Sequence, residues 1–277
     1  MTLEDFCRAM GVLAPATTPL GRWVRCGTVH HPKSKNGAVK FMGRFAFVRN
    51  WESPDGTGTW FADGESQQAQ KDVRAVVRQA ADEIRRKAAS AARKAERMLS
   101  ECELACHPYL TDKGFPDEMA NVWNRETDNV LVIPMRIGTQ LTGCQLIKPD
   151  GGKKFLFGQR TGGAEFVFQG RGLHVLCEGY ATALSTRQAL RNLKANYTLH
   201  VAFSAGNMKK VAEGLTPGLV IADNDESGTG ELAAREIGWP YWMSDTRGED
   251  ANDYARRRGV FALAMGLKPL MQGRRRA

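Results

Sequence analysis

Membrane-spanning length is the first thing this sequence lacks: no apolar run approaches the roughly 18 to 20 residues that cross a bilayer. The N-terminal MTLEDFCRAMGV also lacks the basic-then-apolar order of a secretory signal. Both absences argue against a membrane partner and for a cytoplasmic protein. Cysteine is sparse and scattered, six residues in 277, which suits reduced thiols better than a disulfide framework. Cys144 and Cys177 fall in strand-like apolar segments that would bury them. No CxxC pair occurs. The Cys/His clusters are Cys26 with His30 and His31, and Cys102 with Cys106 and His107. Neither offers four closely spaced ligands, so zinc is not expected. A GxxxxGK[ST] loop is missing as well, which excludes a P-loop motor within this chain.

What is abundant is positive charge. Lys and Arg number 39 against 30 Asp and Glu, a formal net charge of +9. Such an excess attracts polyanions and gains from counterion release on contact with phosphates. The length accommodates two modest domains, or one large core with an extension.

Residues 1–13 have the pattern of a short amphipathic helix, with Thr2 as its cap, Leu3, Phe6, Met10 and Leu13 on its apolar side, and Gly11 and Pro15 ending it. From Gly21 to Trp60 the pattern turns to β pieces, RWVRCGTV, AVKFMGRFAFVRNW and GTGTWF, with hairpin-type turn signals at Asn36–Gly37 and Asp55–Gly56. Residues 1–65 are therefore expected to form a small basic β module. Its Trp23, Arg25, Lys33, Lys35 and Arg44, with Arg22, Lys40, Arg49 and Trp51, interleave cations and aromatics as a surface for single-stranded nucleic acid does. Trp23, Phe41, Phe45, Phe47 and Trp51 are equally the residues a module this small needs for a core.

Residues 66–100 predict one long helix without Gly or Pro. Its apolar stripe is Val73, Val76, Val77, Ala80, Ile84, Ala88, Ala91, Ala95 and Met98, at close to a helical period. The basic polar face fits a solvated linker or a phosphate-contacting arm. Residues 101–170 read as α then β: HPYLTDKGF as a helix closing at Gly114, then VLVIPMRI, TGCQLIKPDG, KKFLFGQ and EFVFQ as strands of an antiparallel sheet. The tail, residues 271–277, ends in RRRA and is expected to be disordered.

The densest signal lies between Leu173 and Asp253. LHVLCEGYATALS ends an apolar run at Glu178, LVIADNDESGTG ends another at Asp223 and Asp225, and GEDANDYARR carries Asp250 and Asp253. The first two have the form of βα junctions in an open parallel sheet, whose strand ends share one crevice. Carboxylates crowded there raise one another's pKa unless a cation neutralises them. Carboxylate oxygens with room for water and phosphate suit Mg²⁺, whereas softer metals call for Cys or His. A divalent-metal site for phosphate chemistry is the expectation. Any of these acids alone is as readily a turn or cap residue; three motifs in order on strand ends set the group apart. The intervening segments alternate in the same scheme: YATALSTRQALRNL, GNMKKVAEGL, TGELAAREIG and ANDYARRRG as helices, LHVAFSA, GLVIADN and YWMS as strands, with Asn207 placed to cap a helix.

VLCEGYATALS, IADNDESG and DANDY together resemble the Toprim domain, in the version carried by bacterial-type primases of phages and plasmids. The three motifs cover roughly the last hundred residues. YLTDKG, VIPMRIGTQLTGCQLI and KKFLFGQ resemble the small basic subdomain that precedes Toprim in a primase core. The resemblance implies an α/β fold: a Toprim parallel sheet flanked by helices over residues 171–270, preceded by a basic α+β subdomain over 101–170 and by the N-terminal β module with its long helix. By the same resemblance Glu178 has an acid/base or metal-linked role, Asp223, Asp225 and Asp253 hold Mg²⁺ or Mn²⁺, and Asp250 is a further member. Lys113, Arg136, Lys153, Lys154 and Arg160 then contact the nucleotide or the template-primer backbone.

The implied activity is synthesis of short RNA primers on single-stranded DNA from ribonucleoside triphosphates, by metal-dependent nucleotidyl transfer. A replicative helicase is a compatible partner. The zinc ribbon that many primases carry at the N-terminus has no counterpart in this sequence, which leaves the β module as its substitute. Two other readings share the motifs: a Toprim nuclease, and a non-catalytic single-stranded-DNA-binding replication accessory protein. The intact Glu178, Asp223 and Asp225 weigh against the second. No dedicated tyrosine-bearing domain accompanies them, which weighs against a topoisomerase.

Overall fold

The structure, a computed structural model, describes residues 1–64, 66–124 and 129–272, with Gln272 described by its backbone alone. Its contacts divide the chain into two units, Met1–Glu83 and Ile84–Ala277. The fold is mixed α/β, with three sheets of four or five strands and eight helices among the described residues.

In the first unit, α1 (Leu3–Ala9) opens with a capping box: the Asp5 N–H donates to the Thr2 hydroxyl at 3.1 Å, and the Thr2 N–H to the Asp5 carboxylate at 3.2 Å. Strands β1 (Trp23–Cys26), β2 (Gly37–Phe41), β3 (Phe45–Asn50) and β4 (Thr57–Phe61) pair antiparallel in sequence order. AVKFMGRFAFVRNW, expected as one β piece, is two strands, because Met42–Arg44 reverse the chain with Gly43 at φ +88°. Neither expected Gly-containing hairpin signal makes a two-residue turn. Gly37 already belongs to β2, and Asp55–Gly56 closes the longer connection from Trp51. Strand alternation sends Val39, Ala46 and Val48 to one face, where they form a core with Cys7 and Val12, edged by Phe6, Met10, Phe41 and Trp60. Of the aromatics expected in the module's core, Phe41 edges this cluster and Phe45 is buried on the opposite face of β3, while Trp23 and Trp51 are exposed.

The helix α2 (Gln67–Ser100) is capped by Ser66, whose hydroxyl accepts the Ala69 N–H at 3.1 Å. The boundary between the units falls within it. Its apolar stripe is used only in part, contrary to the periodicity. Ala91, Ala95 and Met98 are buried, while Val77 and Ile84 are exposed, because only the last turns lie against a sheet.

The second unit continues with β5 (Glu103–Ala105), α3 (Pro108–Asp112), β6 (Ala120–Asn124), β7 (Asn129–Ile137), β8 (Gln140–Ile147) and β9 (Lys153–Phe155). These five strands form an antiparallel sheet in sequence order. One face of β7 and β8 packs on α2 through Val132 and Cys144; the other contributes Leu131, Ile133, Met135 and Ile147 to the main core. Burial on both faces explains the unbroken apolar run VLVIPM.

Then follow β10 (Phe166–Phe168), β11 (Leu173–Cys177), α4 (Tyr180–Asn192), β12 (Tyr197–Val201), α5 (Ala205–Ala212), β13 (Leu219–Ala222), α6 (Thr229–Ile237), β14 (Tyr241–Met243), α7 (Ala251–Arg258) and α8 (Val260–Gln272). Strand order is β10-β12-β11-β13-β14, with β11 to β14 parallel and β10 an antiparallel edge. The EFVFQ segment departs from expectation in part: Glu165 bridges antiparallel to Arg136 of β7, but Phe166–Phe168 leave the antiparallel sheet. They pair with β12, where Phe166 and Phe168 pack on the Tyr180 ring at 5.6 and 5.8 Å.

Val175, Cys177, Leu199, Val201 and Ile221 face α4, α7 and α8 in a core continuous with the antiparallel sheet. Leu176, Val220 and Ala222 face α5 and α6. α8 lies beyond the expected last helix. Met271 and Gln272 of the expected disordered tail close it, and residues 273–277 lie outside the described residues.

Candidate functional site

In the parallel sheet β11 is central: Cys177 stands level with Val201 of β12 on one side and with Ile221 of β13 on the other. The chain leaves β11 to one neighbour and later returns to the other, so the crevice outside the ends of β11 and β13 is the switch point of the sheet. Glu178 directly follows β11 and Asp223 directly follows β13. Register alone therefore puts these two carboxylates side by side at one rim. Asp250 joins them because Asn224 exchanges backbone hydrogen bonds with the turn before α7: its N–H donates to Glu249 O at 3.1 Å, and its carbonyl accepts from Gly248 at 2.6 Å.

The cleft they share has a volume of about 150 Å³. Glu178, Asp223 and Asp250 line it together with Lys113, Lys153, Gln145 and Tyr109, and Gly179, Ala181, Thr182 and Phe203 complete the wall. Burial raises the Asp223 pKa from 3.8 to about 7, and the Asp250 and Glu178 charges add to the rise against an opposing pull from Lys153. Its Oδ1 is buried without a hydrogen-bond partner. The Glu178 pKa is raised too, by burial and then by Asp225, while Lys153 and the Ala205 N–H at the start of α5 oppose the shift. The Glu178 backbone is pinned by the Phe203 N–H, which donates to its carbonyl at 2.8 Å. Phe203 takes a left-handed conformation there, φ +67°, rare for a residue with a side chain.

Asp225 has a different setting. Its carboxylate accepts from the Ser227 hydroxyl, from the Thr229 N–H at 3.2 Å and from the Gly230 N–H at 3.0 Å, and these bonds hold its pKa below the usual range. It stands at the rim, tied to the first turn of α6. Gly230 is required at that turn, since a Cβ there would lie 2.3 Å from the Asp223 carbonyl oxygen. Asp250 is the α7 cap, accepting the Asp253 N–H at 2.9 Å. Asp253 also sits at the rim, its Oδ1 3.8 Å from Lys113 Nζ.

Of the five expected nucleotide-binding cations, the structure brings Lys113 and Lys153 to the acids. Lys113 arrives because Asn252 of α7 donates to its carbonyl at 2.9 Å while also holding Ser185 Oγ of α4 at 3.0 Å. Lys154 alternates away from Lys153 on β9, Arg136 is engaged with the Thr139 carbonyl at 2.9 Å, and Arg160 is exposed in the loop after β9; none lines the cleft. Lys153 also lies 5.9 Å from the Tyr109 ring, whose hydroxyl pKa burial pushes up to about 12.

Sequence reasoning missed Tyr109, Gln145 and Thr182. A glutamine inside the apolar TGCQLI was the one available signal. Asn207 was expected to cap α5, but Ser204 is the cap; the Asn207 side chain is buried and bonds Gly163, Ala164 and Ala202 instead. His107 caps α3, its Nδ1 accepting the Tyr109 N–H at 3.2 Å, and burial keeps its pKa low.

Gly179 caps α4 without a side-chain hydrogen bond, so the first N–H groups of α4 meet the cleft unpartnered by the helix. Such an N-terminus attracts anions. Among the described residues no three His, Cys, Asp or Glu side chains stand close enough to hold a metal ion together. Mg²⁺ characteristically uses one or two carboxylates and takes its other oxygens from water and phosphate, a requirement that Glu178 and the orphaned Asp223 oxygen fit.

Comparison of the chain with family models, with curated proteins and with solved structures found no match. Among the described residues no helix is long and apolar enough to cross a membrane.

Proposed function

We propose that the sheet of β10 to β14 with its helices is a Toprim domain, and that the chain is a DNA primase that joins ribonucleotides into short primers on single-stranded DNA. One observation carries this reading: carboxylates that call for a divalent cation, Glu178 and Asp223, line a single cleft together with phosphate-seeking groups, Lys113, Lys153 and the α4 N-terminus. A magnesium or manganese ion held by Glu178 and Asp223, with Asp250 alongside, would neutralise them and supply stabilisation for charge on phosphate oxygens. The ordering of the substrate falls to the chain itself. Lys113 and Lys153 bind phosphate oxygens as point charges, and the Tyr180, Ala181 and Thr182 N–H groups offer donors in the helix-terminus manner.

A cleft of about 150 Å³ has room for phosphate oxygens and water beside the carboxylates. Glu178, whose charged form burial disfavours, is a carboxylate that a bound cation would stabilise. Asp225 positions: its bonds to the α6 turn fix the loop that presents Asp223.

The test is primer synthesis by the full chain on circular single-stranded DNA with four ribonucleoside triphosphates and Mg²⁺ or Mn²⁺. Short RNA products are expected, and their loss when Asp223→Ala is combined with Asp225→Ala. Synthesis untouched by that pair of substitutions, or strand cleavage in place of synthesis, would overturn the reading.

A further inference from the structure

We infer that the sheet face of the first unit turned away from α1 is a platform for single-stranded nucleic acid, in which Trp23 stacks on a base and an Arg25–Trp51–Arg49 stack clamps the backbone. The inference stands on this unit alone and does not depend on the acidic cleft.

Register defines the face. Trp23 pairs with Lys40, Lys40 with Phe47 and Phe47 with Thr59; one step along, Arg25 pairs with Ala38, Ala38 with Arg49 and Arg49 with Thr57. Alternation puts both rows opposite Val39, Ala46 and Val48, which α1 covers. A module with so small a core would ordinarily bury its indoles. Here Trp23 is 49% exposed and Trp51 43% exposed.

The arginines explain what Trp51 does. The Arg25 guanidinium lies 3.9 Å from the Trp51 ring centroid and that of Arg49 lies 5.1 Å from it. Neither has a carboxylate partner among the described residues. A guanidinium stacked on a ring keeps its N–H edge free in a fixed direction, the arrangement that receives a phosphate. Trp23 is only tilted against Phe47, centroids 6.4 Å apart, which leaves indole surface for a base.

Charge favours the same occupant. From Phe6 to Trp51 the sequence holds eight Lys or Arg and no Asp or Glu. Glu52, the first acid beyond, is engaged by Thr28, His31 and Asn36. An acidic peptide would satisfy the cations but has no flat faces for the indole. A duplex hides its base faces, so aromatic stacking selects unpaired strands.

The test measures fluorescence anisotropy of a labelled oligothymidylate of about 20 nucleotides against the full chain, in EDTA and without nucleotides, so that a metal-dependent cleft is silent. Trp23→Ala is expected to weaken binding roughly ten- to a hundred-fold, and Trp23→Phe to retain most of it. Arg25→Ala with Arg49→Ala is expected to flatten the slope of log affinity against log salt by about 1.4, at ~0.7 for each phosphate no longer neutralised. Circular dichroism confirms that each variant is folded. Unchanged affinity of folded Trp23→Ala, an unchanged salt slope of the double-arginine variant, or competition by polyglutamate or by duplex DNA as effective as by the single strand, would each overturn the inference.

Discussion

Asp223→Asn keeps the shape of the side chain and removes its charge. In the folded protein the Asp223 carboxyl titrates near 7 rather than 3.8, chiefly through burial and secondly through Asp250 and Glu178. An unfolded chain releases that proton near the ordinary value. Between the two values the folded state therefore holds a proton the unfolded state has released, so stability falls as pH rises through this window and stays low above it. A rise from 3.8 to about 7 corresponds to ~4 kcal/mol at most, and water in the open cleft brings the cost to on the order of 2 kcal/mol.

Urea denaturation in EDTA, followed by circular dichroism across a pH series, should show Asp223→Asn level with the wild type near pH 4 and more stable by about 2 kcal/mol near pH 8. Mn²⁺ at about a hundred times its Kd should then stabilise the wild type by ~2.7 kcal/mol, a Tm rise of roughly 5 to 10 °C, and leave the variant little changed. A stability difference independent of pH, or an equal gain from Mn²⁺ in both proteins, would refute the reasoning.

Other substitutions probe the frame around the site. Gly230→Ala drives a Cβ into the Asp223 backbone and should cost about 1 to 3 kcal/mol in urea denaturation, with primer synthesis reduced in the folded fraction as well. Lys194 is exposed just past the end of α4 at φ +51°, so Lys194→Gly should stabilise by about 1 kcal/mol without affecting synthesis. Lys153→Ala removes the cation that opposes the raised pKa of both Glu178 and Asp223. It should raise the KM for ribonucleoside triphosphates roughly ten-fold or more, since a charge-assisted hydrogen bond to phosphate is removed, and shift the Asp223 window to higher pH.

The parts of this fold that were legible in the sequence are local. Glu178 and Asp223 end apolar runs and begin helices, and a parallel sheet converts that local fact into proximity. The alternation of helices and strands from Tyr180 to Arg258 follows from periodicity in the same way. What could not be read depends on partners far along the chain. Tyr109 and Gln145 reach the cleft because the antiparallel sheet and the parallel sheet share a core, and no local pattern encodes that sharing. β10 changes sheets because of where Tyr180 sits. The α2 stripe looks uniform from Val73 to Met98, yet only the part lying on Val132, Leu141 and Cys144 is buried. α8 was obscured by Gly266 and Pro269, residues that read as helix breakers although Leu263 and Leu267 are fully buried. The acids illustrate both cases: Asp225 and Asp250 match the motif and also serve as the turn and cap residues that Asp so often supplies.

Crystals of the chain soaked in Mn²⁺ and measured at the manganese absorption edge test the central claim most directly. The expected result is an anomalous peak in the cleft, coordinated by Glu178 and Asp223, that disappears in Asp223→Asn. Mn²⁺ bound elsewhere on the protein, with this cleft empty, would contradict it.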